Sequence, residues 1–204
     1  MPAPRPSAIL FDIGRVLVRL DISAAMAGLA TGSTMSSQEV WAAIESHPRW
    51  RDWQEGRLSP HEWHRQFGQR LGSVLDFEAF RAAWNAALLP EPILPDALLQ
   101  QLARSYRVAL VSNTDPFHVA HLEANFPFMG HFPLRIYSCA VGSCKPDPLI
   151  YKEALRACRV QAQEALFIDD LAENIAGAER LGMAGIVFES ASQLERELAA
   201  RGLL

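Results

Sequence analysis

Five short, almost continuously apolar runs constrain this chain more than any other feature. They are Ala8–Asp12, Arg107–Ser112, Leu134–Ser138, Ala165–Asp169 and Gly185–Phe188. Runs this short and this apolar suit strands buried on both faces of a parallel sheet. Amphipathic helical patterns separate the later runs, near 95–104, 116–124, 147–158, 172–181 and 191–201. Strands alternating with helices build βαβ units with right-handed crossovers. The expected fold class is therefore α/β, with a parallel sheet at the centre of three layers. Gly182, just after Leu181, reads as the glycine that closes its helix.

Residues 21–90 break the rhythm, and no good strand is legible there. Trp63, Phe67 and Leu71 recur at helical spacing, as do Phe77, Phe80, Trp84 and Leu88, and Val40, Trp41 and Ile44 form a third apolar face. Ser59-Pro-His-Glu62 and Ser36-Ser-Gln-Glu39 are capping boxes. These signals predict four helices near 22–30, 37–46, 60–72 and 76–89. Pro90-Glu-Pro-Ile-Leu-Pro95 then reads as a stiff linker. All five tryptophans (41, 50, 53, 63 and 84) fall inside this one stretch. The organisation predicted is an α/β core from 1–20 and 91–204, interrupted by an all-helical cap at 21–90. An insertion after the first strand sits over the carboxyl ends of the sheet, where open α/β folds bind ligands.

Composition narrows the function classes. Nineteen Lys and Arg against 23 Asp and Glu give a net charge of −4, which argues against a nucleic-acid partner. No apolar run approaches a membrane span of about 18 residues. The N-terminal Met1-Pro-Ala-Pro-Arg-Pro6 has no apolar region behind it to suggest a signal peptide. Three cysteines fit neither a disulfide framework nor a metal motif. A cytoplasmic protein is expected, without a membrane or nucleic-acid partner; monomer and homodimer both stay open.

Polar residues cluster at the predicted strand ends. They are Asp12 with Gly14, Ser112-Asn113, Lys145 in a Lys-Pro-Asp-Pro turn, and Asp169-Asp170. In a parallel sheet these ends converge. Three carboxylates with few cations repel one another unless a metal ion lies among them, and hard oxygen donors suit Mg²⁺. A lysine and a hydroxyl beside a helix start suit phosphate. A carboxylate next to both can act as a nucleophile.

Phe11-Asp-Ile-Gly-Arg-Val-Leu17, Leu110-Val-Ser-Asn-Thr114, Lys145-Pro-Asp-Pro148 and Phe167-Ile-Asp-Asp-Leu-Ala-Glu-Asn174 resemble, in order, the four motifs of the haloacid dehalogenase (HAD) superfamily. The resemblance covers nearly the whole chain and implies a Rossmann-like core with the C1-type helical cap of subfamily I. Glu55-Gly-Arg-Leu-Ser59 also resembles a cap segment of the branch that holds glucose-1-phosphate phosphatases and the phosphatase domain of soluble epoxide hydrolase. It implies an enzyme that hydrolyses a small phosphorylated metabolite, a sugar phosphate among the candidates. In that reading Asp12 is the nucleophile, and Ser112 and Asn113 hold phosphoryl oxygens. Lys145 neutralises charge, Asp170 and the Gly14 carbonyl join Asp12 at Mg²⁺, Asp169 is a second or water-mediated ligand, and Asn174 orients that shell.

One position departs from the pattern. Phosphatases of this superfamily usually read Asp-x-Asp, the second acid serving as general acid/base, whereas this chain reads Asp12-Ile13-Gly14. Such help is worth about 10²–10⁴-fold. Asp21 is the candidate substitute acid. The departure keeps two alternatives in play: a carbon–halogen hydrolase, and a HAD-fold binding protein without turnover.

Trp63 and Trp84, at helical spacing, read as core of the helical stretch. Trp50 and Trp53 lie outside a periodic pattern and are the substrate-pocket candidates. Cys144 has a charge-lowered thiol as its functional reading and an ordinary loop thiol as the favoured one. The six histidines read as structural or surface residues.

Overall fold

The computed structural model describes residues 5–204; residues 1–4, part of the segment read against a signal peptide, lie outside them. Seven strands form: β1 (Ala8–Phe11), β2 (Val18–Leu20), β3 (Leu88–Pro92), β4 (Arg107–Ser112), β5 (Leu134–Tyr137), β6 (Ala165–Asp169) and β7 (Ala184–Val187). Helices α1 (Ile22–Ala30), α2 (Ser37–Glu45), α3 (Trp50–Gln54), α4 (Pro60–Leu71) and α5 (Phe77–Asn85) lie between β2 and β3. After β3 come α6 (Asp96–Ser105), α7 (Pro116–Asn125), α8 (Ser138–Val141), α9 (Pro148–Cys158), α10 (Ala172–Glu179) and α11 (Ala191–Ala200).

The five apolar runs form one parallel sheet in the order β5-β4-β1-β6-β7. Side chains alternate across it, as period two requires. Ile9, Phe11, Leu110 and Ile168 enter an apolar layer with α6, α7 and α11. Leu10, Val111 and Phe167 face the opposite layer, built on Ile150, Tyr151 and Ala154 of α9 and Ile175 of α10. Helices on both faces make the three-layer α/β fold expected. The chain passes from β1 to β4 and β5 on one side, then to β6 and β7 on the other. The switch point thus falls at the carboxyl end of β1, where Asp12 follows.

The helical stretch differs from its sequence reading in three ways. It holds five helices rather than four. The extra one, α3, has only five residues, too few to display a period. The fourth predicted helix ends at Asn85 instead of 89, and Leu88 begins a strand rather than continuing the helix face. The predicted linker is partly that same strand: β3 pairs antiparallel with β2, with Val18 opposite Pro92 and Leu20 opposite Leu88. Pro90 and Pro92 are tolerated because a two-stranded ribbon has only edge strands. Both capping boxes are present, at Ser36–Glu39 and Ser59–Glu62. A third apolar cluster draws on residues from Ala25 to Ala87, with Phe117 of α7 joining it. Inside it Trp63 stacks on Trp53 (5.4 Å) and on Phe67 (5.0 Å).

One loop ties this stretch to the sheet. Gly56 follows α3 with φ +70°, and a Cβ there would lie 1.9 Å from the Cys139 carbonyl oxygen in α8. Only glycine lets these backbones approach so closely. Beside it, Ser138 Oγ accepts from the Thr114 N–H (2.9 Å) and lies 2.7 Å from the Gln54 carbonyl. Gly56→Ala combines left-handed strain with overpacking and is expected to cost about 2–5 kcal/mol. Ser138→Ala leaves the buried Thr114 N–H unpaired, an expected loss of about 1–3 kcal/mol. Denaturant midpoints of both variants check these values.

Candidate active site

The register brings the predicted strand-end residues together. Phe11 pairs with Leu110 on one side and Ile168 on the other, and the Asp12 N–H donates to the Ile168 carbonyl at 2.9 Å. Asp12, Ser112 and Asp169 therefore end three adjacent strands. Lys145 reaches in from the loop between α8 and α9. Its Nζ lies 2.7 Å from Asp12 Oδ1 and 2.7 Å from Asp169 Oδ2, and its side chain is almost fully buried.

Asp169 is completely buried and held by three donors. Besides Lys145, it accepts from the Leu171 N–H and from Asn174 Nδ2, each at 2.9 Å. The Asn174 carbonyl in turn accepts from the Tyr151 hydroxyl at 2.8 Å. So α9 fixes α10, and Asn174 orients Asp169. Asp170 is half-buried, with Arg15 Nη1 3.7 Å from its Oδ2. Arg15 has φ +59°, a sharp turn in the loop that follows Asp12.

The electrostatics follow from burial. Desolvation, assisted by Asp169, pushes the Asp12 carboxyl up to about 6 against the opposing pull of Lys145. Lys145 moves above the usual lysine range, because two carboxylates outweigh its burial. Burial also raises Asp170, with Asp169 adding to it. Lys145 contacts Asp12 and Asp169, the exposed Arg15 lies against Asp170, and oxygens of the three carboxylates lie within 4.8 Å of one another. That donor set, hard oxygen with excess negative charge, fits a divalent cation such as Mg²⁺.

A cavity of about 200 Å³ adjoins these residues, its wall including Ile13, Gly14, Ser112 and Asn113. Several sequence expectations change here. The Asn113 side chain does not face a ligand freely. Its Nδ2 donates to the Lys145 carbonyl (2.9 Å) and its Oδ1 accepts from the Lys145 N–H (2.6 Å). It clamps the lysine loop instead. Trp50 lines the cavity, but Trp53 is completely buried among aromatic rings and does not. Asp21 caps α1, accepting from the Ala24 N–H and the Ser23 hydroxyl. Those bonds hold its carboxyl below the usual range, and it is absent from the cavity wall. Its carboxylate is thus engaged as the cap of α1. At Gly14 itself, a Cβ would lie 3.3 Å from Leu20 Cδ1, so an aliphatic side chain borders the space. Burial raises the Cys144 thiol, outweighing the pull of Lys145.

The sequence reading missed Asp115 and His118, the titratable side chains on the cavity wall. Asp115 caps α7, accepting from the Phe117 and His118 N–H groups, and its Oδ2 accepts from the Trp84 indole at 3.0 Å. His118 Nδ1 lies 3.2 Å from the same oxygen, and its Nε2 lies 3.3 Å from the Trp84 carbonyl. Asp115-Pro116, an N-cap followed by proline, is the available signal.

A buried lysine bridging carboxylates at the switch point of a parallel sheet defines an α/β protein with a carboxylate-centred site. The sequence model of haloacid dehalogenase-like hydrolases matches residues 7–182, and the chain belongs to that family. It is 29% identical to D-ribitol-5-phosphate phosphatase of Bacteroides thetaiotaomicron over 202 residues, 93% of this chain and 95% of that protein. It is 28% identical over 203 residues to mouse acyl-CoA dehydrogenase family member 10, covering 95% of this chain but only 19% of that longer protein. A HAD family enzyme of B. thetaiotaomicron, solved with magnesium and inorganic phosphate, shares the fold at a TM-score of 0.79 and 24% identity, over 91% of this chain and 95% of that one. Among the described residues, no helix is long and apolar enough to cross a membrane.

Proposed function

We propose that this protein is a Mg²⁺-dependent phosphomonoester hydrolase that works through an aspartyl-phosphate on Asp12. The observation that carries the reading is the carboxylate triad of Asp12, Asp169 and Asp170, with the buried Lys145 bridging the first two. Asp12, Asp170 and the Gly14 carbonyl would hold the metal. Asp169, with three donors already in place, takes part through water. Bound there, Mg²⁺ offsets phosphate charge so that an anionic nucleophile can approach.

The residues divide the remaining work. An Asp12 carboxylate oxygen attacks phosphorus, the bond to the ester oxygen breaks, and the alcohol departs. Lys145 commits two N–H groups to Asp12 and Asp169, which leaves one for a phosphoryl oxygen. The Ser112 hydroxyl, at the end of β4, takes another. Water then attacks phosphorus, releasing phosphate and restoring Asp12. With glycine at position 14, the leaving oxygen draws its proton from water. Residues 21–90 act as a cap that excludes bulk solvent from the site, held to the core by Gly56 and Ser138. The relationship to a D-ribitol-5-phosphate phosphatase supports the reaction class, and the triad favours it over carbon–halogen cleavage, for which a paired acid site has no use.

The test is phosphate release from p-nitrophenyl phosphate and a panel of metabolite phosphates. Chelation with EDTA is expected to lower turnover at least about 10²-fold, and Mg²⁺ to restore it. Turnover indifferent to EDTA, or none with Mg²⁺, contradicts the reading.

A further inference from the structure

The cavity is built for one kind of leaving group. From the 21–90 stretch its wall takes Ile22, Met26, Trp41, Ile44, Trp50 and Trp84 with further small or aliphatic side chains; Gln54 is the one polar residue that stretch adds. No Lys, Arg, Asp or Glu of that stretch is on the wall. The titratable pair on the wall, Asp115 and His118, is already engaged. Asp115 accepts from two backbone N–H groups and the Trp84 indole, and His118 lies against Asp115 and the Trp84 carbonyl. Beyond Gln54 and Thr114, the wall outside the phosphate end therefore offers few free partners for the hydroxyls of a polyol or sugar. Burying such hydroxyls unpaired is costly, whereas apolar carbon gains from leaving water.

Resting on the phosphomonoesterase reading above, we propose that the substrate is the monophosphate of a small apolar alcohol, its hydrocarbon chain packed against Met26, Trp41, Ile44 and Trp50. The polar end of the same cavity, at Gly14 and Ser112, lies at the carboxyl ends of β1 and β4, where Asp12 follows β1, and receives the phosphate. Leu20, 3.3 Å from a Gly14 Cβ, extends the apolar wall toward the reacting bond.

A series of n-alkyl phosphates from ethyl to octyl tests this, because leaving-group basicity barely changes along it. With Mg²⁺ present, kcat/KM is expected to rise about two- to fourfold per methylene. The rise should stop when the chain outgrows the cavity of about 200 Å³. Ribitol 5-phosphate and glycerol phosphate are expected at or below the ethyl ester. Met26→Gln, close in size, should flatten the slope. Trp41 is 39% exposed, so Trp41→Ala offers a second variant with little folding risk, and it should weaken the longer esters most. A flat series, or a preference for polyol phosphates, overturns the apolar-substrate proposal and leaves the phosphatase reading standing. Failure to release phosphate from any ester, p-nitrophenyl phosphate included, overturns both.

Discussion

Replacing Lys145 with methionine is expected to remove both activity and several kcal/mol of stability. The reason lies in what surrounds the ammonium. Lys145 is 5% exposed, and its Nζ sits 2.7 Å from each of two buried carboxylates. Breaking a buried ion pair by deleting one partner costs about 3–5 kcal/mol, since the remaining charge is left uncompensated. Here two charges are left. Asp12, already raised to about 6 with the lysine present, would rise further and hold a proton at neutral pH. A protonated Asp12 is no nucleophile. The denaturant midpoint and phosphate release should therefore fall together. The double variant Lys145→Met/Asp169→Asn removes one of the stranded charges and is expected to recover stability without recovering turnover. If the single variant keeps wild-type stability, the triad is not organised around this lysine.

Asp12→Asn is expected to lower turnover by about 10⁴-fold or more, because an amide oxygen is a poor nucleophile and the phosphoryl group then has no acceptor. The fold should persist. The amide keeps the shape of the side chain, the backbone N–H at position 12 still donates to Ile168, and the strand pairing at Phe11 does not depend on the carboxylate. Intact secondary structure by circular dichroism with abolished phosphate release is the expected combination. Near-normal turnover in Asp12→Asn would place the chemistry on another residue.

Much of this protein is legible in its sequence. The five apolar runs become the five-stranded sheet because strands buried on both faces need continuous hydrophobicity, a signal that survives without tertiary context. Asp12 and Asp169 stand out because a parallel topology forces strand ends together, and Lys145 because of its Lys-Pro-Asp-Pro turn, although the structure places it in the α8–α9 loop rather than at a strand end. Asn174 lies against Asp169, one turn into the helix that follows. What stays hidden depends on contacts between residues far apart in the chain. The β2–β3 ribbon joins Leu20 to Leu88, and three residues of β2 carry too short a pattern to betray a partner so distant. In sequence Asn113 is free to hold a ligand, yet its amide is taken by the backbone of Lys145, 32 residues on. Trp50 and Trp53 look alike in sequence; only packing separates the one on the cavity wall from the one stacked on Trp63. His118 reads as structural because its place on the wall rests on Asp115 and on Trp84, 34 residues away. Gly56 shows the same limit, its need for glycine arising from the Cys139 carbonyl in another part of the fold.

The central claim is that Asp12 carries the phosphoryl group during turnover. It is tested most directly by quenching the enzyme with borohydride during turnover of a phosphomonoester and Mg²⁺, then sequencing the peptides by mass spectrometry. Borohydride reduces an aspartyl-phosphate to homoserine. The account predicts homoserine at position 12, dependent on both substrate and Mg²⁺ and absent at Asp169 and Asp170. Active enzyme that yields unmodified Asp12 under conditions that trap an acyl phosphate, or the modification at another residue, would contradict it.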